Sequence, residues 1–242
     1  MTVFEKHIAD LARRSYERNY NTFSEFMNLD EISILYSLKL PVPFILYGGY
    51  EGAERCVACF FSDENEIAFP VKCLKISPVN SKFADRLSHR DYLGSLMNLG
   101  INRNTLGDIV VKDNIGYVFC LESISGYITE NLTRIKHTTV ICEEAEITGE
   151  LIADKPQETE LTAPSLRADA VCAAVYKLSR KAVSEYFSHS DVFINSRVCV
   201  KESTLLKSGD RVSVRGKGKF IFNGEIRETK RNRKVLSVSV YK

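Results

Sequence analysis

The chain has 242 residues, of which 44% are hydrophobic, and its 33 Lys and Arg nearly balance its 31 Asp and Glu. This length and apolar content suit two domains of ordinary size or three small ones. No apolar stretch is long enough to cross a bilayer, and residues 1–10 lack the apolar core of a signal peptide. We therefore expect a cytoplasmic protein without a membrane partner, whose seven cysteines stay reduced.

The first predicted domain, residues 1–66, is an α/β region in which two amphipathic helices precede a small sheet. Its predicted elements are helix 3–19, helix 29–40, strand 44–47 and strand 54–61. Pro41 and Pro43 stop the second helix, because proline lacks the N–H that a helix interior needs. Cys56 and Cys59 form a CxxC pair without a second pair or a nearby histidine. Buried thiols are therefore favoured over a zinc or redox site.

The second predicted domain, residues 67–145, follows the order β-α-β-β-α-β. Its predicted elements are strand 66–76, helix 88–99, strands 107–111 and 117–121, helix 125–135 and strand 138–142. This order is typical of the ferredoxin-like fold, which RNA-binding domains share with domains of other roles. Tyr117 and Phe119 alternate on a predicted strand, where base stacking and core packing explain them equally well. Arg90 and Arg103 are candidate RNA contacts, with surface salt bridges as the alternative.

An acidic segment, residues 146–164, separates the central domain from the C-terminal residues. Residues 143–163 contain seven acidic side chains and one lysine. Such a composition keeps a chain solvated and self-repelling, so we expect a linker that lets the following residues orient freely.

The C-terminal residues 165–242 carry 17 Lys and Arg against 7 Asp and Glu, a net charge of +10. The other 164 residues carry 16 basic and 24 acidic side chains, a net charge of −8. Positive charge segregated in this way is typical of a surface that neutralises the phosphates of nucleic acid. The alternative is a solvated face of a small domain.

The residue order in this basic segment predicts two helices followed by short strands. The predicted elements are helix 167–178, helix 180–187, a hairpin over 191–200, a tight turn at 207–210 and a strand at 211–215. A β extension follows, with a basic loop at 215–220, a basic turn at 230–234 and a closing strand at 235–241. The whole chain is therefore predicted to be α+β: N-terminal helices with a small sheet, a ferredoxin-like central domain, and a small helix-helix-β module at residues 165–242.

The basic segment resembles the small RNA-binding module named after the fourth protein of the small ribosomal subunit. The matching motifs are Arg167-x-Asp169, Leu178-Ser179-Arg180-x-Ala182, Val192-x-Ile194-Asn195 and Gly209-Asp210-x-Val212-x-Val214. The resemblance implies paired helices and a basic strand edge that face structured RNA. The candidate RNA contacts here are Arg167, Arg180, Lys181 and Arg197, joined by Arg211, Arg215, Lys217 and Lys219 of the basic strand and loop. Ser190 stands where the module usually has glycine.

A second resemblance covers essentially the whole chain. Residues 89–101 (HRDYLGSLMNLGI), 107–111 (GDIVV), 164–167 (PSLR) and 214–220 (VRGKGKF) are similar to the YlmH family of bacterial ribosome-associated proteins. That resemblance implies binding to the large ribosomal subunit and to tRNA. It also implies a role in rescuing stalled nascent chains, and it carries an association with cell division.

These patterns favour a non-catalytic RNA-binding adaptor of the ribosome that acts as a monomer without cofactor or metal. The expected partners are structured RNA, namely rRNA and tRNA, and the large ribosomal subunit. An RNA-modifying enzyme is the alternative, since the same module is often appended to pseudouridine synthases and methyltransferases. The sequence shows no glycine-rich cofactor loop and no converging nucleophile and base, which disfavours that alternative. A third hypothesis is a protein-interaction factor whose acidic body matters more than its RNA contacts.

Overall fold

The computed structural model describes residues 1–61, 67–146 and 156–241. These residues form a mixed α+β protein that divides into two compact units, Met1–Ile152 and Ala153–Lys242. The predicted boundary at residue 66 lies inside the first unit, so the N-terminal region and the central domain are one compact body. Within the described residues, no helix is both long and apolar enough to span a bilayer.

The N-terminal part of the first unit contains two helices and a three-stranded antiparallel sheet of order β1-β3-β2. Its elements are α1 Val3–Arg18, β1 Thr22–Phe23, α2 Leu29–Ser37, β2 Phe44–Tyr47 and β3 Val57–Phe60. Both helices begin with a capping box, in which the N-cap side chain and the third helical residue satisfy each other's backbone N–H groups. The second helix ends earlier than predicted, because Leu38 already has extended backbone angles ahead of Pro41.

The central part of the first unit forms a five-stranded sheet of order β5-β6-β4-β8-β7, with antiparallel neighbours throughout. Its elements are β4 Val71–Pro78, α3 His89–Asn98, β5 Leu106–Lys112, β6 Ile115–Leu121, α4 Glu122–Asn131, β7 Arg134–Ile135 and β8 Thr138–Glu144. The observed order differs from the predicted order β-α-β-β-α-β by the additional short strand β7. The predicted helix 125–135 was placed too late, because Arg134 and Ile135 pair with β8 as a short strand.

The two faces of the central sheet are covered by different elements. Helices α3 and α4 pack on one face around Leu74, Ile76 and Val118, which are fully buried. On the other face, Phe119 is fully buried in a cluster that includes Phe26 of the N-terminal part. Gly49 lies directly over the Phe119 ring with φ of +99°, so a Cβ at that position would overlap the ring.

The second unit is a six-stranded antiparallel sheet of order β11-β10-β12-β13-β14-β9 with two helices. Its elements are β9 Gln157–Ala163, α5 Ala168–Tyr176, α6 Arg180–Ser188, β10 Val192–Ile194, β11 Arg197–Val198, β12 Asp210–Val214, β13 Gly218–Glu228 and β14 Lys234–Val240. The core lies between the helices and one sheet face, where Val171, Phe187 and Phe222 are at most 1% exposed. Ser190 adopts the left-handed region with φ of +61°, the conformation that favours the glycine usual there.

The predicted linker at 146–164 is wrong over its last residues. Strand β9 pairs with β14 from Gln157↔Val240 to Ala163↔Lys234 and forms one edge of the second sheet. Leu161 and Ala163 pack against the core, whereas Glu158 and Glu160 are exposed. Charged side chains on an edge strand are common, since they oppose pairing with another chain. The remaining linker residues 147–155 lie outside the described residues.

Candidate nucleic-acid interface

Three arginines of the second unit line a cleft at the N-terminal ends of its two helices. It has a volume of about 440 Å³, and we call it the arginine cleft. Its lining residues are Pro164, Ser165, Arg167, Asp169, Ala170, Ala173, Arg180 and Arg233. Three guanidinium groups and one carboxylate therefore line one opening, which suits an anion such as a phosphate group.

Local structure explains how two of the arginines reach the cleft. Arg167 is the residue that precedes α5, and Arg180 is the first residue of α6. Between the helices, Lys177 takes a left-handed conformation with φ of +53°, which ends α5 and reverses the chain. The Ser179 side chain then caps α6 by accepting a 3.2 Å hydrogen bond from the N–H of Ala182.

Asp169 holds Arg167 in a fixed orientation. The Arg167 Nε donates to Oδ1 at 3.0 Å and its Nη2 donates to Oδ2 at 2.9 Å, a bidentate ion pair. This pair raises the pKa of Arg167 above its ordinary value. The two charged residues of the motif Arg167-x-Asp169 thus bind each other. The edge of the guanidinium that faces away from Asp169 stays available to a ligand.

The third arginine comes from the β extension. The turn between β13 and β14 closes on a hydrogen bond of 2.7 Å from the Thr229 N–H to the Arg233 carbonyl oxygen. Arg233 Nη2 donates to the Thr162 carbonyl oxygen at 3.3 Å, so its side chain lies over β9. Sequence reasoning named the basic turn 230–234 but could not select Arg233, because only the tertiary fold brings that turn beside the two helix starts.

The other predicted contacts of the second unit lie away from the cleft lining. Lys181 is exposed on α6, and Arg197 is exposed on the edge strand β11. Arg211 is paired across β12–β13 with Ile221, and Lys219 with Ser213, so both project on the sheet face opposite the helices. That face also carries an aromatic contact, since Lys219 Nζ lies 4.9 Å from the Tyr241 ring centroid.

The turn from β12 to β13 carries the last two predicted contacts of the second unit. Arg215 forms an ion pair of 3.2 Å with Asp191 and lies 5.7 Å from the Phe193 ring centroid. Lys217 is exposed at the tip of the same turn. The structure therefore divides the predicted residues of this unit between the arginine cleft, the far sheet face and the strand ends.

In the first unit, the sheet face around Phe119 is closed to nucleic acid. Tyr50 packs on Phe119 with ring centroids 5.0 Å apart, and Tyr117 is only 8% exposed. The Tyr50 hydroxyl donates to Asp108 at 2.8 Å, and burial followed by this carboxylate raises the pKa of Tyr50. Of the two explanations for Tyr117 and Phe119, core packing is confirmed.

Arg103 is used inside the first unit, whereas Arg90 is exposed in the first turn of α3. Arg103 Nη1 donates to the carbonyl oxygens of Leu106 and Gly107 at 2.6 and 3.1 Å. Burial, and then the nearby Arg55, lower the pKa of Arg103 to about 10. This geometry gives Arg103 a structural role that sequence reasoning did not anticipate.

Of the CxxC pair, Cys59 lies buried in β3 as predicted, whereas Cys56 precedes that strand and is half-buried. Cys59 is fully buried, and burial raises the pKa of its thiol to about 11. All seven cysteines lie in described segments and carry thiols. Across the three described ranges, no three His, Cys, Asp or Glu side chains come together as metal ligands.

Comparisons with known proteins relate the chain to ribosome-associated proteins. Residues 65–149 match the family model described as "Putative RNA-binding domain in YlmH". The chain is 28% identical over 176 residues to "Ribosome-associated protein quality control protein P2" of Bacillus subtilis (strain 168), covering 71% of this chain and 68% of that protein. These two matches make the chain similar to YlmH proteins, most directly over residues 65–149.

A solved structure, "Cell division protein ylmH from Streptococcus pneumoniae", aligns with a TM-score of 0.49 and 19% identity, over 63% of this chain and 96% of that chain. The residues 65–149 that match the family model contain the whole central sheet. The arginine cleft lies outside that match, in the second unit. Its interpretation as an anion site therefore depends on its own charge and geometry.

Proposed function

We propose that this protein is a non-catalytic RNA-binding adaptor of the ribosome, which contacts large-subunit rRNA and tRNA in the cytoplasm and acts in the rescue of stalled nascent chains. The observation that carries the proposal is the arginine cleft, where Arg167, Arg180 and Arg233 converge on one opening. Its position on a segment of net charge +10 supports a polyanionic ligand. The Bacillus subtilis relative is named a ribosome-associated protein quality control protein, which supports the ribosomal context.

The architecture of the two units supports the same proposal. In the central sheet, the four main strands occur in the order β5-β6-β4-β8 with two helices on one face, the arrangement of ferredoxin-like domains. In the second unit, α5, α6 and the strands that follow have the order of the small RNA-binding module that the sequence resembles. We infer that each unit contributes RNA contacts, with the second unit supplying most of the phosphate neutralisation.

Within the second unit, we assign distinct parts to the basic residues. The arginine cleft would hold a phosphate of structured RNA, because planar guanidinium groups bind phosphate oxygens in pairs. Lys181, exposed one residue after Arg180, extends the positive field along α6. The remaining contacts, Arg197, Arg211, Arg215, Lys217 and Lys219, would reach neighbouring segments of the same RNA.

Ribosome co-sedimentation of the double variant Arg180→Glu with Lys181→Glu tests the proposal. Both side chains are exposed at the start of α6, so the substitutions leave the core around Val183 and Phe187 intact. We expect the folded double variant to stay in the supernatant and not to co-sediment with ribosomes. The reason is that two charges that attract RNA phosphates become charges that repel them. A matched control is Arg18→Glu with Lys39→Glu, two cations at the surface of the first unit, which should co-sediment like the wild type. Unchanged co-sedimentation of the folded Arg180 and Lys181 variant would contradict the proposal.

A further inference from the structure

A second basic surface lies in the first unit, around the loop that joins β4 to α3. The loop contains a short 3₁₀ turn, Ser81–Phe83, and leads into α3 at His89. The hairpin turn between β7 and β8 lies beside it, since the Val79 N–H donates to the Thr139 carbonyl oxygen at 3.0 Å. We call residues 79–91 and 134–138 together the loop surface.

Partly buried polar contacts fix this loop in one conformation. Asp85 Oδ2 accepts from the His137 N–H at 3.1 Å and from the Thr138 hydroxyl at 3.2 Å. Asn114 bridges the same loop, accepting from the Leu87 N–H at 2.7 Å and donating to the Asp85 carbonyl oxygen at 2.9 Å. A surface held in this way is preorganised, which lowers the entropic cost of binding a ligand.

Phe83 is the exceptional side chain of the loop surface. It is 79% exposed, more than any other aromatic side chain in the described ranges. Its ring lies beside a cation, since Lys82 Nζ is 5.7 Å from the ring centroid. An apolar ring kept in water next to a positive charge offers a stacking platform to a flat, electron-rich group.

The charges around Phe83 are mainly positive, although the first 164 residues carry an excess of acid. Five of the 16 basic residues in that part of the sequence lie on the loop surface: Lys82, Arg86, Arg90, Arg134 and Lys136. The two acidic residues of the same segments have internal partners. Asp85 binds the backbone and Thr138, as described above, and Asp91 binds Ser88 and Lys136, the latter at 2.8 Å. The outward charge of the loop surface is therefore positive.

The usual stacking surface of a domain with this strand order is its sheet face. Here the aromatic residues of that face are covered by the N-terminal part, with Phe119 fully buried beneath Tyr50. A nucleotide that binds the central domain must therefore use another surface. Among the described residues, the loop surface combines an exposed ring with several cations, the two features that single-stranded nucleic acid requires.

We propose that the loop surface is a second RNA-contact site, which stacks an unpaired base on Phe83 and places the adjoining phosphates against Arg86 and Arg134. This inference rests on the proposed function, and it locates the contact that the central domain makes. Charge complementarity favours RNA over a protein partner, because a protein that covered Phe83 would have to match at least four cations as well.

The test uses the full chain and a short single-stranded RNA that carries one 2-aminopurine, whose fluorescence is quenched by stacking. We expect Phe83→Ala to lose the quenching and to bind at least about fivefold more weakly, the lower range for one stacked base. Phe83→Trp should retain both the quenching and the affinity. Tyr16→Ala is the matched control, because Tyr16 is another exposed aromatic residue of the first unit, at 64% exposure, and it should behave like the wild type.

Two outcomes separate this inference from the proposed function. If Phe83→Ala binds and quenches like the wild type while the Arg180→Glu and Lys181→Glu variant loses ribosome binding, the loop surface is not an RNA site and the proposed function stands. If the wild-type chain itself fails to bind ribosomes, the proposed function fails.

A cross-linking experiment decides between RNA and protein as the occupant. The chain carrying p-benzoylphenylalanine in place of Phe83 is bound to purified bacterial ribosomes and irradiated. We expect a cross-link to RNA that nuclease digestion removes. A cross-link to ribosomal protein alone would overturn the inference and make the loop surface a protein-docking site.

Discussion

Replacement of Arg233 by alanine is the sharpest test of the arginine cleft, because Arg233 is the lining residue that only the tertiary structure identifies. Two hydrogen bonds close the turn that carries it: the Thr229 N–H donates to the Arg233 carbonyl oxygen, and the Arg233 N–H donates to the Thr229 hydroxyl oxygen. The substitution removes the guanidinium and its 3.3 Å hydrogen bond to the Thr162 carbonyl oxygen, and leaves that turn in place. A change in RNA affinity can therefore be assigned to the missing charge.

The expected magnitude follows from the charges that line the cleft. Arg167, Arg180 and Arg233 face one carboxylate, Asp169, so the local charge is +2 and falls to +1 in the variant. A hydrogen bond to a charged group contributes about 1.5–3 kcal/mol. Because Arg233 is exposed, solvent screening places the effect near the lower value, about a tenfold increase in Kd. The slope of log K against log salt should become shallower by about 0.9, because the variant neutralises one phosphate fewer.

The assay is ribosome binding measured over a series of salt concentrations, with Arg231→Ala as the matched control. Arg231 is exposed in the same turn and carries the same charge, but it does not line the cleft. We expect the control to bind nearly as the wild type does. Equal decreases in affinity for Arg231→Ala and Arg233→Ala would show that only the net charge of the turn matters. The site-specific reasoning would then be refuted, as it would be if neither variant changed the salt slope.

Three further predictions concern the fold that positions these surfaces. Gly49→Ala should lower the free energy of unfolding, measured in a urea titration, by roughly 2 kcal/mol or more. The reason is that an alanine Cβ would overlap the Phe119 ring and that a φ of +99° is strained for alanine. An unchanged urea midpoint would refute this packing. Ser190→Gly should raise the stability of the second unit by up to about 1 kcal/mol in thermal unfolding, because it relieves the φ of +61°; a lower Tm would contradict this. Burial raises the pKa values of Cys73 and Cys120 to about 12. At pH 8 these thiols should therefore react with Ellman's reagent only after the chain unfolds. Rapid labelling of the native chain would be inconsistent with their burial.

Two surfaces of different character emerge from the two units. The arginine cleft collects guanidinium groups and suits phosphates, whereas the loop surface combines a single exposed ring with surrounding cations. In our proposal, the arginine cleft would contact the RNA backbone without regard to sequence, and the loop surface would stack an unpaired base.

The sequence predicted most elements of the fold because their local signals agreed. Proline stops and periodic apolar residues located α1, α2 and the central strands to within a few residues. The sequence prediction failed at strand β9. There we interpreted the many acidic residues as a linker and overlooked that Leu161 and Ala163 alternate toward the core. A strand on a sheet edge tolerates many charges, so composition was a poor guide there.

By itself, the sequence determined the basic character of residues 165–242 and the helix starts that carry Arg167 and Arg180, because charge and helix capping are local properties. Only the tertiary structure decided which other cations join them. Strand pairing brought Arg233 to the cleft from a distant turn, took Arg103 inward to backbone carbonyl groups, and buried Phe119 while it left Phe83 exposed. Each of these outcomes depends on contacts between residues far apart in the chain, which no local pattern records.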